Sequence, residues 1–299
     1  MSIYNISLNF LKNIKSNKYV NFFRIFDWVH LLGVTFLGLF YVSNSVSLLA
    51  ALFALFISSL YLAYGYSLNE VFDTATEGRC GKKTLTSNCF SVNKGVFLSS
   101  IPLVFVIIFS LLHSKEMFLA VIFGVVLGWV YSAPPVRLKS KALAGLFCNS
   151  LCFCPLFLIG ALSSRRMSHE LLGMAVYIGL VMLPLQLIHE LDHKSADSSQ
   201  GINTTICKYG LIKGLYLILF SLVFLTGWTV LLWYFFAVHI IFVFLTLLFS
   251  IALCRILFIR YDSKKNSLNT YLLKIRARYI ALIYGIAIFF IFVIRNSFL

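Results

Sequence analysis

Apolar residues run almost unbroken over residues 26 to 43, 45 to 68, 96 to 113, 117 to 133, 142 to 163, 170 to 189, 213 to 235, 236 to 259 and 277 to 294. Most of these runs approach the roughly 20 residues that an α-helix needs to cross a bilayer, where hydrocarbon offers no partner to an unpaired backbone group. The pattern predicts an all-α polytopic membrane bundle of nine transmembrane helices in a single domain, 1–299. One boundary follows from length alone: the stretch from 214 to 259 is too long for one crossing and must turn near Ala237 and Val238. Ahead of the first span, Ile3, Ile6, Phe10 and Ile14 recur at steps of three and four, with Lys12, Lys15 and Lys18 on other faces. That spacing predicts an interfacial amphipathic helix within residues 1–20, and the long apolar core of a cleavable signal is missing there.

Composition excludes an ordinary soluble domain: 12% of the residues are charged and 60% are hydrophobic, with a mean hydropathy of +0.92. The net charge of +15 could suggest nucleic acid, but its placement reads as topology. Lys12, Lys15, Lys18 and Arg24 precede the first span; Arg79, Lys82, Lys83 and Lys94 lie between the second and third. Arg137, Lys139 and Lys141 follow the fourth, Lys194, Lys208 and Lys213 follow the sixth, and seven more run from Arg255 to Arg278. The opposite side receives only Lys115, Arg165, Arg166 and Arg295. Cytoplasmic loops carry the excess of Lys and Arg, so the N-terminus and the basic connections are expected in the cytoplasm and the C-terminus outside, in a multi-pass protein of the bacterial inner-membrane type. Seven cysteines without a paired C-x-x-C spacing argue against a disulfide framework; Cys148, Cys152 and Cys154 read as small apolar residues inside a helix.

Six of the ten acidic residues fall in two clusters, at 70 to 77 and 190 to 197, each following a span. A carboxylate near hydrocarbon is costly unless it is paired, solvated or bound to a cation, so two such helix ends suggest one polar pocket with a metal in it. Asn69, Asp73 and Glu77, spaced at i, i+4 and i+8, share one helical stripe and offer oxygen donors to a hard divalent cation; a solvated helix end paired with Arg79 is the plainer reading. The second cluster holds Glu190, Asp192 and Asp197, with His189 and His193 one turn apart. His189 through His193 also fits H-E-x-x-H, which keeps a zinc-dependent membrane protease among the alternatives. Between the clusters, Pro134 and Pro135 end the fourth helix and leave Tyr131 near the interface with Arg137 and Lys139 just beyond.

Asn69-x3-Asp73-x3-Glu77, the loop Tyr131-Ser132-Ala133-Pro134-Pro135-Val136-Arg137-Leu138-Lys139, and the ending Asp197-x3-Gly201-Ile202-Asn203-Thr204 together resemble the UbiA superfamily of intramembrane prenyltransferases over essentially the whole chain. The resemblance implies a nine-helix bundle with two aspartate-rich motifs, after the second and sixth helices. It also implies Mg²⁺-dependent transfer of an isoprenyl chain from an allylic prenyl diphosphate to a small acceptor in the bilayer, an aromatic quinone precursor being the commonest. Carotenoids, glycerol-phosphate lipids and tetrapyrroles are other acceptors of the family. On this reading Asn69, Asp73, Glu77, Glu190, Asp192 and Asp197 are metal ligands, and Asp73, Asp192, Asp197 and Tyr131 are catalytic. Asn69, Arg79, Lys83, Arg137, Lys139 and Lys194 contact the diphosphate.

Two departures stand out. Glu77 occupies a position where the family usually has Asp, and the residue four before Asp197 is His193, so Asp192 or Glu190 is expected to take the missing carboxylate's place. A modest kink would bring Asp192 round to the metal. A transporter of divalent cations or organic anions is a further alternative, although its carboxylates belong at mid-span, whereas here they sit at span ends.

Overall fold

The computed structural model describes residues 17–42, 45–77, 91–164, 167–199, 201–236, 238–262 and 267–297. Residues 1–16, which hold most of the predicted amphipathic helix, and the connection bearing Arg79, Lys82 and Lys83 lie outside the described residues. Within them are nine helices long and apolar enough to cross a membrane: α1 (Ile25–Val42), α2 (Leu48–Glu77), α3 (Val92–His113), α4 (Lys115–Ser132), α5 (Ala142–Leu162), α6 (His169–Ser199), α7 (Thr205–Phe236), α8 (Ile240–Arg260) and α9 (Thr270–Ser297). The long apolar run breaks between Phe236 and Ile240, close to the expected turn. The described residues are otherwise almost without strand; Tyr261–Asp262 and Ser267–Leu268 form a two-residue antiparallel pair between α8 and α9.

Successive helices pack in a ring, and α9 closes it against α1. Helices α5 and α6 are the most enclosed, with 61% and 72% of their apolar windows buried against 22% to 39% for the others. They form the wall around which the motif-bearing ends are arranged. Where α1 crosses α5, Gly38 lies against the Phe157 carbonyl and Gly160 against the Thr35 carbonyl; a Cβ at either would collide with backbone. Small residues let membrane helices approach this closely and gain dispersion contacts that hydrocarbon alone does not offer. Three segments are broken: α1 passes through a 3₁₀ turn at Val29–Leu31, α7 leaves helical geometry at Gly210 with φ +82°, and α5 is interrupted at Cys152 and Phe153, where the Tyr61 hydroxyl donates to the Cys152 carbonyl at 2.8 Å. In the membrane interior Tyr177 of α6 bonds Tyr284 of α9, whose hydroxyl also pairs with Thr246 of α8 at 2.7 Å. A buried hydroxyl in lipid needs such a partner, so this trio ties α8 and α9 to α6.

Helices α2 and α6 have 30 and 31 residues. At 1.5 Å per residue each is about 45 Å long, against about 30 Å of hydrocarbon. Their surplus lies at the C-terminal ends, which carry the two acidic clusters beyond the apolar windows and place them at the same end of the bundle.

Candidate active site

The first acidic station is a polar network. Asn69 Nδ2 donates to Asp73 Oδ2 at 3.0 Å, as residues one turn apart on a helix can, and its Oδ1 accepts from Ser132 Oγ at 3.4 Å. Lys139 Nζ bonds both oxygens of Asp73 at 2.5 Å, and Arg137 stands 3.5 Å away. All three ionic side chains are largely buried, at 14% exposed for Asp73, 17% for Lys139 and 21% for Arg137. The cations come from the α4–α5 loop, which begins where α4 stops before Pro134 and Pro135. Arg137 takes a left-handed backbone with φ 37° and starts a 3₁₀ turn, Leu138–Ser140. A non-glycine residue in that region costs of order 1 kcal/mol and persists only where its surroundings hold it. Here the hold includes the Arg137 amide bond to the Ala133 carbonyl at 2.9 Å.

Glu70, the neighbour of Asn69, faces elsewhere: it is buried, 3.9 Å from Arg24. Arg24 bonds Asp27 at 2.7 Å and stacks over Tyr66. Just before α1, Phe22 packs on Val71. The chain ahead of α1 thus clamps the end of α2 on the side away from Asp73.

The second station is built around the end of α6. Gly201 has φ +69°, its amide bonds the Ser198 carbonyl at 3.2 Å, and the Ile202 amide bonds the Asp197 carbonyl at 3.0 Å. This is a Schellman termination, for which glycine is preferred because the left-handed position penalises a Cβ. The Asp197-x3-Gly201 spacing is therefore a helix stop that leaves Asp197 in the last turn. The following loop docks on the start of α5, where the Ala142 amide donates to the Asn203 carbonyl at 2.8 Å. Thr204 Oγ1 then caps α7 through the Cys207 amide.

Glu190 and Asp197, seven residues apart, share one face of α6, and Lys194 lies near it. Glu190 is buried and accepts the Ile206 amide at 3.2 Å, satisfying a donor of the first turn of α7. The loop that carries Arg137 and Lys139 also meets the turn after Asp197, where Lys141 bridges to Asn203, and this contact ties the two stations to one region.

Asp192 takes a different direction. It is turned about 200° from Glu190 on a regular helix, and Lys274 of α9 bonds its carboxylate at 2.8 Å. Lys274 also meets His193 Nε2 at 3.0 Å, and the His193 and His189 rings lie 4.4 Å apart. The structure therefore does not bring Asp192 round to the face of Asp197, because α6 continues as helix through Ser199 without the kink such a turn needs. Lys274, Ser132 and the Glu190 cap were missed as site features by sequence reasoning. Nothing but the unpartnered look of Asp192 and His193 on paper hinted at Lys274.

Among the described residues, no three His, Cys, Asp or Glu side chains gather into a group able to hold a metal ion by themselves, and the His189–His193 pair lacks the third ligand of a zinc centre. The oxygen donors at the two stations fit Mg²⁺ well, since that ion takes one or two carboxylates and completes its shell with water and substrate phosphate. Arg79 and Lys83 lie outside the described residues, as does the side chain of Glu77.

A polytopic bundle with carboxylates and cations gathered at one end of its helices can hold an anionic group together with a divalent cation at the membrane face. The profile of the UbiA prenyltransferase family matches residues 31–283, and the chain belongs to that family. Solved structures share the fold. A UbiA homologue from Archaeoglobus fulgidus bound to GPP and Mg²⁺ superposes with a TM-score of 0.74 at 17% identity, over 93% of this chain and 99% of that one. A digeranylgeranylglyceryl phosphate synthase gives 0.73 at 17% identity, over 92% and 98%. The apo UbiA homologue from Aeropyrum pernix K1 gives 0.62 at 12% identity, over 85% and 96%. No curated protein sequence matches the chain.

Proposed function

We propose that this prenyltransferase moves an isoprenyl chain from an allylic prenyl diphosphate to a small aromatic quinone precursor, using Mg²⁺, at a site open to the cytoplasm. The observation that carries the reading is Asp73, aligned with Asn69 and matched by Lys139 and Arg137 on a loop that also bridges to the turn after Asp197. The Archaeoglobus homologue's GPP, DMAPP and Mg²⁺ support the donor and the metal.

In this reading Asp73 and Asp197, with Asn69 and Glu77 beside Asp73, would hold Mg²⁺, which when bound stabilises negative charge on the departing pyrophosphate. Lys139, bonded to Asp73, and Arg137, held beside it, turn toward diphosphate oxygens as the donor enters; Arg79, Lys83 and Lys194 are additional contacts. The allylic C–O bond breaks with its electron pair going to pyrophosphate. The acceptor's nucleophilic atom bonds the allylic carbon and then gives up its proton to the released pyrophosphate. Tyr131 flanks the reacting carbon, where its ring favours positive charge and keeps water out. Glu190 holds the face of Asp197 steady by capping α7, and Asp192 does so through Lys274.

The assignment is tested with purified protein and geranyl diphosphate. Chelation with EDTA abolishes pyrophosphate release and added Mg²⁺ restores it; release that continues in EDTA overturns the metal role. Lipid profiles of cells with and without the protein test the acceptor. Loss of a prenylated quinone supports the reading, and loss of a prenylated glycerol-phosphate lipid replaces the acceptor while leaving the transfer intact.

A further inference from the structure

A groove of about 520 Å³ opens on the outer surface of the bundle between α8 and α9, walled by Leu248, Ile251, Ile256 and Ile280 and bearing Arg255 and Arg276. Its volume lies within the range of ligand clefts. Its polar and apolar parts are ordered along the helix axes. Arg255 comes five residues before the end of α8 and Arg276 six residues after the start of α9, so both lie about 8 Å from the motif end of the bundle. Ile251 and Leu248 lie one and two turns deeper, toward mid-membrane. The groove itself is lined almost wholly by apolar atoms, the two arginines bordering it through their aliphatic stems while their exposed heads reach toward headgroup depth at its rim.

Both arginines are exposed, and neither meets a carboxylate, a ring or another partner among the described residues. Outward-facing guanidinium groups beside hydrocarbon are costly without a counter-ion. A guanidinium pairs with phosphate through two parallel N–H donors, and two of them flanking one cleft suit a single phosphodiester better than dispersed surface charge does. Arg276 is two residues from Lys274, which places the two on opposite sides of α9: Lys274 turns inward to Asp192 while Arg276 turns to the groove. The groove is thus separate from the diphosphate site.

We propose that this groove is a binding site for one anionic phospholipid, its phosphate held by Arg255 and Arg276 and an acyl chain lying along Ile251 and Leu248. The bound lipid bridges α8 to α9 at the end where these helices are joined by only a short connection.

The test counts retained lipid by native mass spectrometry on the full-length protein in neutral detergent, titrated with phosphatidylglycerol and, separately, with phosphatidylcholine. Wild type is expected to hold one phosphatidylglycerol with about tenfold preference, and the R255Q/R276Q variant to lose that preference. The K208Q/K213Q variant removes the same charge from the start of α7 and is expected to keep it. Ala252→Trp fills the groove with both arginines retained and is expected to lose the lipid as well, which separates a site from a general charge effect. No preference in wild type, equal loss in K208Q/K213Q, or full retention in Ala252→Trp overturns the proposal. Stoichiometric displacement of phosphatidylglycerol by geranyl diphosphate also overturns it, assigning the groove to the donor instead.

Discussion

The two acidic stations are made from similar material, a long helix that outruns the bilayer, yet their charges are balanced in opposite ways. At the end of α2, Asp73 is met by Lys139 and Arg137 from a loop whose backbone is held in a left-handed turn at Arg137. At the end of α6, compensation comes from other helices: Glu190 caps α7, and Asp192 is bound by Lys274 of α9. A loop can exchange one partner for another at small cost, whereas a helix cap and an interhelical ion pair are part of the packing. Under the proposed function, the difference implies a division of labour in which the first station would trade its cations to the diphosphate and the second would supply a fixed reference.

The sharpest way to break that division is to exchange the two lysines. Lys139→Met removes the contact to Asp73 and, under the proposed function, a charge-assisted contact to the substrate, and we expect kcat/KM for the prenyl diphosphate to fall about 100-fold, or about 2.7 kcal/mol. Lys274→Met touches no substrate and is expected to cost about threefold, with KM for the donor unchanged. Steady-state kinetics of the two variants side by side decide the matter, and equal losses would erase the distinction between the stations.

Within the second station, Glu190→Ala should exceed Asp192→Ala. Leaving the Ile206 amide buried without its acceptor costs about 1 to 3 kcal/mol, and the disturbed α6–α7 junction should lower the rate about tenfold. Thermal unfolding in detergent together with pyrophosphate release measures both quantities. A larger rate loss in Asp192→Ala would place that carboxylate at the metal after all. The smallest effect concerns Gly201, where Ala must enter the left-handed region at a cost of about 1 to 2 kcal/mol; the expected outcome is a lower unfolding temperature with nearly unchanged KM.

Much of this arrangement was legible in the chain. The nine spans follow from the length that hydrocarbon demands, and the turn near Val238 follows from a run too long for one crossing. Asn69 and Asp73 announce their shared face through a spacing of four, and Asp197-x3-Gly201 announces a helix end. The direction of Asp192 was not legible, because its partner Lys274 lies 82 residues away and reads in sequence as one more topological charge. Nor could the Glu190 cap be foreseen: it depends on how the 201–204 turn folds α7 back onto α6, which no local pattern encodes. The 3₁₀ turn inside α1 escaped as well, since Val29–Leu31 is as apolar as its surroundings except for His30.

The central claim is that Asp73 and Asp197, on separate helices, act together on one Mg²⁺–diphosphate group. Its most direct test is equilibrium binding of the slowly reacting thiolo analogue of geranyl diphosphate, with and without Mg²⁺, to wild type, Asp73→Asn, Asp197→Asn and the double variant. The account predicts that Mg²⁺ tightens binding to wild type, that each single change removes most of that gain, and that the double variant is little worse than either, because residues sharing one ligand are not additive. Metal-independent binding in wild type, or losses that simply add in the double variant, would contradict it.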